Sequence, residues 1–162
     1  MKHTRPIVLV LLLLAAVLVL AGCGSGAPKV DWTLKISGAV DKPLSLSFAD
    51  LAKMPQVELK DVLMQKSQGP DETTSWSGVS LDEILRQAGV NPNYTSIMTT
   101  AADGYALEVT RDELTGAIVA LKDQTGWITV TDKDHGPIRL VCPQAPANRW
   151  VFQLTELSVV AP

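Results

Sequence analysis

The residues best equipped for chemistry are Cys23 and Cys142 and a small polar set, Asp103, Tyr105, His135 and Arg139. A cysteine thiolate is a nucleophile and a metal ligand, whereas a buried, protonated cysteine is a small hydrophobe. Cys142 lies in the stretch GPIRLVCP, residues 136–143. A period of two puts Ile138, Leu140 and Cys142 on one face of a strand, with Arg139 and Val141 opposite. Cys142 thus shares its face with two aliphatic residues, and the pattern favours a core thiol over a metal-binding or redox one. Arg139 carries a planar fork of donors that suits phosphate or carboxylate, which makes it a candidate anion clamp. The plainer reading is a surface ion pair with a neighbouring acid. His135 follows Asp132 and Asp134 in DKDH. The three could share a metal, but adjacent ligands in one turn are a weak pattern, and a solvated loop is the simpler expectation. Asp103 and Tyr105, in ADGY, could line a pocket; a turn aspartate and a packed tyrosine explain them nearly as well. There is no G-x-S-x-G stretch, phosphate loop or paired-cysteine metal site. No catalytic and no metal-binding residue is therefore expected.

These residues sit in a chain of 162 residues with a formal net charge of −3, a length that suits one domain. Apolar residues make up 46% of it, enough for a sizeable core. No basic run follows Arg5, so a nucleic-acid partner is not expected. Lys2 and Arg5 precede an unbroken apolar run from Ile7 to Ala21. A membrane-spanning helix needs about 20 such residues, so this run has instead the proportions of a signal-peptide core. It ends in LAGC, Leu20 to Cys23, which resembles the lipobox of prokaryotic lipoproteins. That resemblance implies a signal peptide over residues 1–22, cleavage before Cys23, and acylation of the Cys23 thiol with palmitate-class lipid. The alternative is an uncleaved N-terminal anchor. Residues 23–30 read as a lipidated tether and residues 31–162 as the folded domain. With Cys23 lipidated, Cys142 has no partner for an internal disulfide.

Alternation marks WTLKI and LSLSF as half-buried strands. SFADLAKMP reads as a short helix capped by Ser47 and ended by Pro55. QVELKDVLM, residues 56–64, is a further strand, and residues 65–75 read as a loop. SLDEILRQAGV reads as a helix with Ser80 and Glu83 as a capping box and Gly89 at its end. Thr110 and Glu113 repeat the box around a shorter helix. SIMTTA, YALEV, AIVAL, WITV, IRLVC, WVFQL and LSVV read as strands. The sum is an α+β fold: a β-rich mixed sheet domain with two or three short helices.

Several stretches resemble, in order, the sulfite-oxidase-like molybdopterin-binding domain. They are ISGAVDKPLSLSFADLAKMP, WSGVSLDEILRQAGV, TTAADGYALEV, HGPIRLVCP and WVFQLTELSV. Together they span nearly all of the chain after the tether. The resemblance implies that fold and, in catalytic members, a molybdenum held by the pterin dithiolene and one protein cysteine. That cysteine lies before the W-x-G-V segment. The corresponding stretch here, VELKDVLMQKSQGPDETTSW, has none, and its nearest sulfur is the thioether of Met64. Of the basic residues expected around the pterin phosphate, Arg139 is kept. His135 is one residue out of register, and a basic position within WVFQL is replaced. Arg139, His135, Asp103 and Tyr105 are the candidate cofactor-binding residues.

The expected function is a lipid-anchored domain on the extracytoplasmic face of the cell membrane, binding a partner or a small anionic ligand without catalysis. No cofactor is expected, although molybdopterin is the one the resemblance would allow. Two other readings stand beside it: a molybdopterin-dependent oxidoreductase with altered metal ligation, and an accessory of a membrane redox or transport complex. Fold alone does not choose among them.

Overall fold

The turn between WTLKI and LSLSF folds two alternating segments into a hairpin, β1 (Thr33–Gly38) and β2 (Leu44–Ser47). A computed structural model describes residues 26–131 and 136–162. The expected signal peptide, the lipidated Cys23 and the DKDH stretch with His135 lie outside those residues. In β1, Leu34 and Ile36 are buried and pair with Leu46 and Leu44 of β2. Ser47 then caps α1 (Phe48–Lys53): its hydroxyl accepts from the Asp50 N–H, and the Asp50 carboxylate accepts from the Ser47 N–H. The hydrogen bond from the Ser47 hydroxyl holds the Asp50 carboxyl below its ordinary range.

The remaining elements are β3 (Gln56–Met64), β4 (Glu72–Ser80), α2 (Leu81–Gln87), β5 (Ser96–Ala101), β6 (Ala106–Thr110), β7 (Ile118–Asp123), β8 (Gly126–Trp127), β9 (Arg139–Val141), a 3-10 turn (Ala147–Arg149) and β10 (Leu154–Val160). They form two sheets. The first runs β2-β1-β10-β5-β6 and is mixed, because β1 and β10 pair in parallel while the other pairs are antiparallel. The second runs β3-β4-β7-β8, with β9 beside β7. Buried side chains from both sheets and both helices form one hydrophobic cluster. This is the expected β-rich α+β architecture. Gly78 in WSGV serves close approach: a Cβ there would sit 2.0 Å from the Val119 carbonyl oxygen across the β4–β7 ladder.

Four expectations need correction. Residues 65–75 are not all loop, because β4 already begins at Glu72. Its polar start hid a strand that the ladder to β3 and the buried Thr74 hydroxyl satisfy: Thr74 donates to the Val62 carbonyl and accepts from Trp76 Nε1. The Ser80–Glu83 capping box does not form. Ser80 is the last residue of β4, the Leu81 N–H is taken by the Ala117 carbonyl, and Glu83 turns to Arg86 and Gln87. The Thr110–Glu113 pair does bond reciprocally, but around a turn over residues 111–116 instead of a helix. WITV and WVFQL are largely not strand. β8 stops at Trp127, and Gln153 takes φ 51°, which interrupts extension just before β10.

Candidate functional site

β9 is three residues long and lies between β7 on one edge and residues 151–154 on the other. Leu140 N–H donates to the Val151 carbonyl at 2.7 Å, and Leu154 N–H to that of Ile138 at 3.0 Å. Both faces are covered, so Ile138 through Cys142 are all buried. Here alternation gives the right answer for Cys142 and the wrong one for Arg139. Arg139 is 7% exposed, which corrects the surface-ion-pair reading. Its guanidinium carbon lies 5.0 Å from the centroid of the Trp76 ring, 5.7 Å from Trp150 and 6.0 Å from Phe152. Cation–π attraction to three rings helps to hold a cation there. Nη2 of Arg139 also reaches Met64 Sδ at 3.9 Å.

Cys142 has no exposed surface. Its Sγ lies 3.9 Å from the Arg149 carbonyl oxygen. Burial, reinforced by the charge of Glu113, pushes the thiol up to about 12, so it is protonated at neutral pH. The core reading of Cys142 therefore agrees with the structure.

Beside the Arg139 cluster opens a cleft of about 320 Å³. One wall is the tight turn between β5 and β6. Gly104 adopts φ 86° there, and Asp103 Oδ1 accepts the Tyr105 N–H at 2.9 Å. That bond fixes the carboxylate against the turn backbone, and both residues line the cleft. The other wall is the 3-10 turn and the segment after it, which bring Asn148, Trp150, Phe152 and Gln153. The Trp150 indole is fixed by donating to the carbonyls of Cys142 and Ala145, at 2.8 and 3.0 Å. Tyr105 is 53% exposed and Phe152 41%.

Asp103 and Tyr105 thus share one cleft, while Arg139 stands against two of its lining rings without lining it. The sequence singles out Met64 only as the nearest sulfur and does not select Trp76, Trp150 or Phe152. The i, i+2 spacing of Trp150 and Phe152 was their one signal. Among the described residues, no group of three or more His, Cys, Asp or Glu side chains gathers to hold a metal.

The family model described as oxidoreductase molybdopterin binding domain matches residues 25–161. The NADH nitrate reductase of Volvox carteri is 28% identical over 171 residues, covering 82% of this chain and 19% of that protein. The catalytic subunit MsrP of the protein-methionine-sulfoxide reductase of Gluconobacter oxydans (strain 621H) is 26% identical over 131 residues, covering 70% and 42%. The crystal structure of the sulfane dehydrogenase SoxCD from Paracoccus pantotrophus shares the fold, with a TM-score of 0.68 at 23% identity, over 85% of this chain and 41% of that one. The chain spans less than half the length of each of these three proteins.

Proposed function

Because the chain belongs to the oxidoreductase molybdopterin binding domain family, we propose that it is a lipid-anchored, extracytoplasmic member that keeps the fold and a ligand cleft without the family's metal chemistry. The observation that carries this reading is the place of its sulfur. The sequence has two cysteines. Cys142 is enclosed in the core with its thiol protonated, and the other, Cys23, is the lipidation site of the proposed anchor. At the end of β3, in the stretch where the resemblance implies the metal-binding cysteine, Met64 packs its thioether against Arg139. A thioether is neutral and cannot replace an anionic thiolate. The described residues therefore do not fit a molybdenum centre that depends on a protein thiolate.

The oxidoreductase names of the relatives favour a second reading, a redox enzyme or subunit whose metal has another ligand. Metal content separates the two, because a redox enzyme of this family needs its molybdenum whatever its substrate. Protein produced in a host that makes molybdopterin is expected to carry no stoichiometric molybdenum and to oxidise no sulfite; about one molybdenum per chain would favour the enzyme.

The anchor rests on Lys2, Arg5, the apolar run and LAGC. Cys23→Ser is expected to leave the precursor uncut and unacylated in its native host. An unmodified Cys23 in the wild-type protein from that membrane would contradict it. Anchored there, the domain has membrane redox or transport complexes within reach as partners.

A further inference from the structure

Resting on that reading and naming the ligand class it leaves open, we infer that the cleft between Asp103, Tyr105 and Phe152 is a binding site for a small organic cation, an amine or quaternary ammonium with an apolar substituent. Its volume of about 320 Å³ is that of a small-ligand pocket. Tyr105 and Phe152 come from opposite walls, and both residues are partly exposed to solvent. Aromatic faces carry negative potential and attract cations. Among the described residues the charged side chain in the lining is Asp103, and its Oδ1 accepts from the Tyr105 backbone N–H. Asn148 and Gln153 add amide groups that can donate to or accept from the ligand's polar atoms.

Arg139 does not oppose this chemistry in the way its sequence position suggests. It packs against Trp150 and Phe152, 5.7 and 6.0 Å from their centroids, and is not part of the lining. Among the described lining residues an anion would meet the Asp103 carboxylate, with the Asn148 and Gln153 amides as its favourable polar contacts. A neutral ligand offers Asp103 at most a hydrogen bond and no opposite charge. The cleft therefore selects charge opposite to that expected from Arg139 alone.

Three probes of similar size distinguish these cases: benzyltrimethylammonium, benzenesulfonate and benzyl alcohol. They are titrated into the purified full chain, whose molybdenum content has been measured, and followed by chemical-shift changes. The expected result is saturable binding of the cation at least about tenfold tighter than of the other two, weakening as salt rises. Asp103→Asn should abolish most of that preference, and Tyr105→Ala should weaken the cation about tenfold, both with an unchanged melting temperature because the two side chains are exposed. Equal or tighter binding of the anion or the alcohol, or no binding of any probe, would overturn the assignment. In molybdenum-free protein such a failure leaves the non-catalytic reading standing. In protein that retains stoichiometric molybdenum, it removes both.

Discussion

Nη2 of Arg139 lies 3.9 Å from Sδ of Met64, joining β9 to the end of β3 inside a wall of aromatic rings. In the stretch where the resemblance implies a metal-binding thiolate, β3 ends in a neutral thioether, and the arginine that could clamp a phosphate is packed against it. The two departures sit side by side.

The packing role of Arg139 has a direct consequence for stability. Arg139→Ala removes a buried, ring-stacked side chain and should cost roughly 2–4 kcal/mol. Arg139→Lys keeps the charge but loses the planar group, and should cost roughly 1–2 kcal/mol. Urea unfolding measures both. An alanine variant within about 0.5 kcal/mol of wild type would show that the cluster carries no structural weight.

Cys142 should behave as a core residue. Cys142→Ala is expected to cost roughly 1–2 kcal/mol through a small cavity, and Cys142→Ser more, because the hydroxyl lacks the environment it needs. The folded thiol is raised to about 12 from an ordinary 9.0, so folding favours its neutral form. That contribution is full below pH 9.0 and is lost as pH rises toward 12. Wild type should therefore lose stability above pH 9.0 more steeply than Cys142→Ala. Rapid labelling of the native thiol at neutral pH would contradict burial.

Glu113 ties the turn after β6 to the cleft wall. Its carboxylate accepts from the Thr110 N–H at 2.9 Å and from Arg149 Nε at 3.0 Å. The Thr110 backbone bond is the main cause that holds its carboxyl below the ordinary 4.5. A depressed carboxyl stabilises the fold above its unfolded pKa, and the gain is lost as pH falls through the folded value. Glu113→Gln should cost roughly 1–2 kcal/mol at neutral pH. The gap to wild type should close as pH drops below 4.5. A gap that does not change with pH would assign the loss to packing.

Much of the fold could be read in the sequence because local signals agreed with tertiary ones. β3 ends where its alternation ends, at Gln56 and Met64, and Ser47 and Gly89 stand where the helix signals put them. Failures arose where a backbone group found a distant partner. The Leu81 N–H bonds to Ala117, 36 positions on by sequence number, so Ser80 has nothing to cap. Burial of Arg139 was hidden for the same reason. Period two assigns a residue to a face, but it does not say that three rings cover that face. The pairing of Asp103 and Tyr105 in one cleft was legible as a turn motif. Their opposite wall comes from a 3-10 turn more than 40 positions later, which no local pattern joins to them.

The most direct test of the central claim is the molybdenum content of the full chain, made in a molybdopterin-competent host and measured by elemental analysis after gel filtration. A domain whose core cysteine is closed off, and whose β3 ends in Met64, should retain molybdenum far below one atom per chain. About one atom per chain, retained through the column and unaffected by Cys142→Ala, would contradict the account and require a ligand other than sulfur from Cys142.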